Sequence, residues 1–378
     1  MAHRIPAAAA LALAALLAGC VAPPADPGGA PGTAAPAPPP AGGRGPVQPA
    51  GDPAEVATGL TSPWSVVLLP ESEVPGEALV SERDTGVVQH LGADGALRPI
   101  GTVPGVAHGG EGGLLGLALL EDASGRWLYA YLTSASDNRI VRMALGTDLA
   151  LGAPEPVLTG IPKAGNHNGG RIAFGPDGML YATAGDAGAP GSAQDPRSLG
   201  GKILRMTPDG EVPDDNPDPG SLVYSLGHRN PQGLAWDDAG QLYAAEFGQN
   251  TWDEVNRIEP GANYGWPEVE GAAGVEGYVD PVAQWRTSEA SPSALAYVDG
   301  TFFLAGLRGE RVWALYPMAD GRLDAVAWFT GEFGRIREVL PAADGTLWFV
   351  TNNTDGRGSP RPGDDRIYSV RLVELREG

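Results

Sequence analysis

The strongest constraint on the fold is a short unit that recurs along the chain: a turn built on Asp-Gly or Ala-Gly, followed at once by an apolar β run carrying an aromatic. It reads "PDGMLYATAGD", "DAGQLYAAEFG", "VDGTFFLAGLRG" and "ADGTLWFVTNN", with looser copies "ASGRWLYAYLTS" and "PGEALVSERDTGVVQHLG". Asp-Gly ahead of a β-rich run is a hairpin signal. The copies stand about 40–60 residues apart, and a unit of that size cannot bury both faces of its own sheet. Such units must stack on one another, which predicts an all-β propeller. About 320 residues at about 50 per blade give roughly six blades. Long apolar patterns of helical period are absent, and 56 glycines and 36 prolines suit short strands joined by many turns. A pair of β-sandwiches is the competing architecture; repeats that run the full length favour the propeller.

The N-terminus is of a different kind. "MAHRIPAAAALALAALLAGC" has one firm charge, Arg4, an apolar stretch to Leu17, and then "LAGC". That is a short secretory leader (residues 1–19), and Leu17-Ala18-Gly19-Cys20 looks like a bacterial lipobox in which Cys20 takes the lipid. Cys20 is the single cysteine of the chain, which suits lipidation better than a disulfide. Residues 21–53 are mostly Pro, Ala and Gly, with 11 prolines. Residues 20–53 therefore read as a lipidated cysteine and an extended disordered tether, and 54–378 as the folded domain. The expectation is an exported protein held by lipid at the outer face of the bacterial cell membrane.

The formal net charge is −21. That argues against nucleic acid as a partner and against charge-driven binding to anionic lipid, leaving the lipid on Cys20 as the expected membrane contact. An anionic ligand would need its own cluster of arginines. Candidates exist. "SLGHRNPQGLAW" holds Arg229, Asn230 and Gln232, "GLRGERVW" holds Arg308, and "FGRIREVL" holds Arg335 and Arg337. The alternation in the last places both guanidiniums on one face of a strand. "GNHNGGRIAFGPDGMLYATAGD" sets His167 in a glycine-lined loop and ends at Asp186. Around Gly248 the backbone offers carbonyls to a hard cation such as Ca²⁺. Taken singly, each has a plain structural explanation: a turn histidine, arginines pointing to water, a solvated acidic turn. The combination in an acidic chain says more.

In order, the motifs "NHNGGR", "GPDG", "GGKILR", "DNP", "GHRNPQGLAW", "NYGWP", "GLRGERVW" and "GRIREV" resemble the soluble glucose/sorbosone dehydrogenase family over roughly residues 55–372. The resemblance implies a six-bladed β-propeller using pyrroloquinoline quinone (PQQ) and calcium to oxidise aldose sugars to lactones, with electrons passed to an external acceptor. It implies His167 as catalytic base, Asp186 as the carboxylate orienting it, and Arg229 as the cation facing the quinone. Asn230 and Gln232 match neighbouring cofactor contacts, and Arg308, Arg335 and Arg337 match groups facing the cofactor carboxylates. Gly248 and Gln249 would offer carbonyls to the quinone's calcium, and Glu254 and Tyr264 would belong to a second, structural calcium site.

Two departures stand out. Where cofactor-binding relatives carry a glutamine that contacts the quinone, "HGGEGGLLGLAL" carries Glu111. It could be protonated and donate a hydrogen bond, stay ionised against an arginine or the calcium, or point to solvent. Where relatives read Gly-Pro at the calcium, the chain reads "FGQN". Two other readings stay open: a calcium-dependent propeller lactonase, whose channel would not call for three arginines, and a non-catalytic surface-binding propeller.

Overall fold

The computed structural model describes Met1 and residues 45–70, 76–123 and 125–375. The leader, Cys20 and the tether up to residue 44 lie outside these. The chain divides into residues 1–39 and a unit of residues 40–378, and the second holds all the described strands.

Six four-stranded antiparallel sheets account for the unit. Blade 1 is β2–β5, running from Pro63–Leu68 through Ala78–Glu82 and Val87–Leu91 to Leu97–Thr102. Blade 2 is β6–β9 (Leu114–Asp122, Gly125–Thr133, Asn138–Ala144, Glu155–Ile161) and blade 3 is β10–β13 (Ile172–Phe174, Leu180–Ala184, Lys202–Met206, Val223–Leu226). Blade 4 is β14–β17 (Pro231–Trp236, Leu242–Glu246, Trp252–Arg257, Ala283–Arg286) and blade 5 is β18–β21 (Pro292–Val298, Thr301–Gly306, Arg311–Pro317, Leu323–Trp328). Blade 6 takes β22–β24 (Ile336–Pro341, Thr346–Thr351, Arg366–Glu374) and is completed by the first strand, β1 (Val47–Thr58). Inner strands meet in the pairs β2–β6, β6–β10, β14–β18, β18–β22 and β22–β2, and β14 meets β11 of blade 3, so β2, β6, β10, β14, β18 and β22 follow one another around the axis. The outermost strands, such as β5 and β21, are the exposed ones.

The recurring sequence unit falls at one place in every blade, the hairpin between the first and second strands. There Gly178, Gly240, Gly300 and Gly345 all take φ between 75° and 79°, a left-handed conformation that a β-carbon would strain. Each hairpin sends two apolar strands into the gaps between sheets. The core is accordingly distributed: six apolar clusters, each seated between two adjacent blades. No blade buries its faces alone, which is why the repeat must close on itself.

Closure brings one correction to the sequence reading. Composition placed the end of the tether at residue 53, yet β1 begins at Val47 and pairs antiparallel with β24 from Val47↔Glu374 to Thr58↔Arg366. Val47 is buried, and its N–H donates to Thr301 Oγ1 (2.8 Å) while that hydroxyl donates back to Val47 O (3.0 Å). Proline is tolerated because β1 is the edge strand of its sheet. An edge strand rich in Pro and Ala has the composition of a linker; only its pairing partner, more than 300 residues away in sequence, distinguishes it.

Candidate active site

The hairpins between first and second strands lie at one end of the channel. The segments that precede each first strand and follow each second strand meet at the other end, and there they enclose a cavity of about 280 Å³. Six arginines line it: Arg83, Arg229, Arg308, Arg335, Arg337 and Arg357. Two carboxylates, Glu111 and Asp355, face it with them, along with His167, Asn230 and Gln232. In a chain of net charge −21 this is a local reversal of sign. It is what an anionic ligand requires.

His167 lies in the loop entering β10, and Asp186 just beyond β11, so the hairpin of blade 3 brings both to one end of the sheet. His167 Nδ1 is 2.7 Å from Asp186 Oδ1. Asp186 is buried and also accepts from Gly188 N–H (2.8 Å) and from Trp266 Nε1–H (2.9 Å). Burial alone would raise its pKa; the hydrogen bonds from His167, Gly188 and Trp266 outweigh it and hold the carboxyl below the ordinary range. An ionised Asp186 is acceptor-only, which assigns the proton of neutral His167 to Nδ1 and leaves the Nε2 lone pair free.

The histidine backbone is strained. His167 has φ of 55°, a left-handed conformation costing roughly 1–2 kcal/mol in a residue with a β-carbon. Its surroundings hold it there. The His167 N–H donates to Glu111 Oε2 (2.9 Å), its carbonyl accepts from Ala187 N–H (3.1 Å), and Asn230 Oδ1 accepts from Gly169 N–H (3.0 Å). A β-carbon at Gly185 would stand 2.1 Å from His167 O. The glycines of the motif thus let two loops pack face to face.

Arg229 is half-buried and keeps one donor unused. Its guanidinium stands over the Trp266 ring (5.4 Å to the centroid), Nη1 donates to Phe247 O (3.3 Å), and Nε is buried without a partner. Burial lowers its pKa, opposed by the Asp186 and Glu246 carboxylates. A buried guanidinium with an unused donor beside a cavity fits an acceptor supplied by a ligand.

The other arginines differ from one another. Arg335 engages Asp355 Oδ2 through Nε (3.1 Å) and Nη2 (2.9 Å). Arg337 is a floor residue: Nη1 donates to Gln232 Oε1 (2.9 Å) and Ser293 Oγ (3.2 Å), while Nε and Nη2 share Asn352 Oδ1. Burial pushes its pKa down to about 9, with the Asp355 carboxylate resisting, so it stays charged at neutral pH. Arg308, in the loop after β19, is exposed. The side-chain oxygens of Asn230 and Gln232 are both engaged, which leaves their amide N–H groups for a ligand. All three sequence-predicted arginines therefore reach the cavity, with different freedom to act.

Glu111 lines the cavity as an ion pair. Oε1 accepts from Arg357 Nη1 (2.8 Å) and Oε2 from the His167 N–H. Burial would raise its pKa, but these donors bring it below the ordinary value. Of the three readings open at the sequence level, this geometry corresponds to pairing with an arginine.

The structure brings three of the four expected calcium residues together. Gly248, Glu254 and Tyr264 line one small cavity together with Glu246 and Glu270, beside the arginine cavity. Gln249 has an exposed side chain, and its N–H donates to Glu270 Oε1 (2.8 Å). The cause is the register of β15 on β16, which pairs Glu246 with Glu254 and folds the intervening loop back. A β-carbon at Gly248 would meet Trp252 O at 1.6 Å. The Tyr264 hydroxyl donates to Arg257 O (2.7 Å), leaving its carbonyl as what it could offer a cation. Among the described residues no three His, Cys, Asp or Glu side chains are disposed to hold a metal by themselves; a cation here would draw on backbone carbonyls as well.

Arg83, Arg357, Asp355, Trp64 and Trp266 escaped the sequence reading. "NYGWP" was a legible motif for Trp266, but its indole N–H reaches Asp186 across 80 residues. Arg83 and Arg357 sit in ordinary-looking turns, "ERDTG" and "TDGRG"; only closure of the ring makes them cavity residues.

Fold and cavity together define a class: a six-bladed propeller with a cation-lined axial site beside a carboxylate-buttressed histidine. The chain belongs to the glucose/sorbosone dehydrogenase family, whose model matches residues 60–360. An aldose sugar dehydrogenase of Escherichia coli is 32% identical over 343 residues, covering 80% of this chain and 91% of that protein. Quinoprotein glucose dehydrogenase B of Acinetobacter calcoaceticus is 32% identical over 60% of this chain and 54% of its own. Among solved structures, the PQQ-bound aldose sugar dehydrogenase of Streptomyces coelicolor superposes with a TM-score of 0.82 at 54% identity, covering 88% of this chain and 99% of that one.

Proposed function

We propose that the chain is a PQQ-dependent dehydrogenase that oxidises aldose sugars at the anomeric carbon to lactones, with calcium as companion ion and an external electron acceptor. The observation that carries the reading is the six-arginine cavity, with its unpartnered Arg229 donor, beside the His167–Asp186 pair. A planar tricarboxylate quinone fits such a cation set. When bound, the quinone supplies the two-electron oxidant that accepts the hydride.

The remaining chemistry belongs to the chain. His167 Nε2 accepts the anomeric hydroxyl proton, and Asp186 stabilises the imidazolium that forms. Arg229 would hold the quinone by its unused donor and offset negative charge on it. Arg308, Arg335 and Arg337 would meet its carboxylates, Arg308 being the one with the fewest internal ties. A lactonase has no use for this surplus of cations, and a passive binding surface has none for the His167–Asp186 pair beside it.

Calcium fits the neighbouring cavity. Glu254 has its pKa raised to about 8 by burial and then by the charge of Glu246, so a divalent cation there would relieve two buried carboxylates at once. Gly248, Glu254 and Tyr264 would hold it. Export and a lipid anchor at Cys20 complete the proposal. The test is to supply purified apoprotein with PQQ and Ca²⁺ and follow dye reduction across an aldose panel, identifying the lactone. Aldose-dependent reduction requiring PQQ supports the reading; its absence with PQQ bound overturns it.

A further inference from the structure

We infer that Glu111 is a positioning residue for the general base, acting through the main chain of His167. The inference rests on the reading of His167 as that base. Glu111 is one of two carboxylates, with Asp355, in a cavity lined by six arginines, a choice that works against ligand affinity unless its charge is occupied elsewhere. It is so occupied. Oε2 accepts the N–H of His167 (2.9 Å) and Oε1 accepts from Arg357 (2.8 Å).

The contact is reciprocal. The Glu111 N–H donates to Gly165 O (2.9 Å) just as its side chain receives the His167 N–H. The loop before β6 and the loop before β10 are thereby tied twice. They approach so closely that a β-carbon on Gly110 would stand 2.1 Å from Gly165 O. The residue held this way has a left-handed backbone, φ 55°, which places the imidazole against Asp186. A relaxed backbone at 167 would carry the ring off that carboxylate.

Arg357 is the second part of the device. It comes from the loop after β23 in blade 6, its side chain is 59% exposed, and it fixes the carboxylate from across blade 1. Glu111 thus binds three blades at the mouth: its own, that of His167 and that of Arg357. A glutamine in its place could still accept the His167 N–H through its carbonyl, but could not form the ion pair.

The experiment compares Glu111→Ala, Glu111→Gln and Arg357→Ala with the native protein in two ways. Hydrogen exchange of the peptide covering residues 165–170 is measured on the apoprotein, and PQQ affinity and kcat on the reconstituted protein. For Glu111→Ala, exchange should speed up at least tenfold and kcat fall about 10- to 100-fold, with PQQ affinity changed less than about threefold. Glu111→Gln should recover both quantities to within about threefold, and Arg357→Ala should fall between. If Glu111→Ala leaves exchange unchanged and weakens PQQ binding more than about tenfold, Glu111 is a cofactor contact and the inference fails. Unchanged exchange and unchanged kcat also overturn it. Exchange needs neither quinone nor sugar. Faster exchange in Glu111→Ala with rescue by glutamine would therefore uphold the positioning role even if no aldose were oxidised, in which case the proposed reaction is what fails.

Discussion

Asp186→Asn replaces one atom, and its consequences can be worked from the site. The native carboxylate faces three donors: His167 Nδ1–H, Gly188 N–H and Trp266 Nε1–H. An asparagine has one acceptor oxygen and one NH₂, so one oxygen position must become a donor. With the NH₂ toward His167, the imidazole is driven to carry its proton on Nε2, and the base is lost. With the NH₂ toward Trp266, two N–H groups oppose each other in a buried place. Either way the substitution also removes the negative charge that favours the imidazolium. A hydrogen bond to a charged group is worth roughly 1.5–3 kcal/mol, which is about one to two decades in rate. The expected result is a kcat reduced about 10- to 100-fold near neutral pH, with PQQ affinity nearly unchanged. The assay is steady-state aldose oxidation with a dye acceptor from about pH 5 to 9, with circular dichroism to confirm the fold. A kcat within about twofold of native would refute the assignment of His167 and Asp186.

Three further outcomes are expected. His167→Ala should lower kcat by about 10²–10⁴ while leaving PQQ binding intact, checked by single-turnover kinetics on the PQQ-loaded protein. Arg308→Ala and Arg335→Ala should each weaken PQQ binding by roughly 1.5–3 kcal/mol at most, measured by calorimetry; Arg337→Ala should in addition lower thermal stability, because Gln232 and Asn352 lose a buried partner. The apoprotein should lose stability as pH rises from the ordinary glutamate range toward 8. Burial, and then the Glu246 charge, push Glu254 up to about 8, and burial pushes Asp253 up to about 6; a raised carboxyl pKa contributes stability at low pH that is lost as pH climbs through it. Asp186, Glu111 and Asp355, whose pKa values are lowered, are already ionised in that range and add no slope. Added calcium should raise the melting temperature more at the upper end of the range, and Glu254→Gln should flatten the slope.

Much of the fold was legible because each blade repeats one local event. A glycine turn ahead of an apolar strand is a short-range signal, and it marks the same hairpin in all six blades, as Asp-Gly in blades 3, 5 and 6. The closing strand was not legible as such, since Val47–Thr58 acquires its identity only by pairing with Arg366–Glu374. The site divides along the same line. His167, Asp186 and Arg229 stand in dense polar motifs of their own, and the family pattern gave them roles. Arg83, Asp355 and Arg357 occupy turns that look like any other in the chain. Their function depends on which loops the ring brings face to face, a long-range fact without local trace. Glu111 lay between the two cases: its departure from pattern was visible, but its partners, the His167 N–H and Arg357, were not.

The most direct measurement of the central claim is a titration of the apoprotein with PQQ, with calcium present, followed by absorbance and calorimetry. Saturable binding at one site per chain is expected, weakened at least about tenfold in Arg229→Ala as a buried donor loses its acceptor. Absence of saturable binding, or native-like affinity in Arg229→Ala, would contradict that claim.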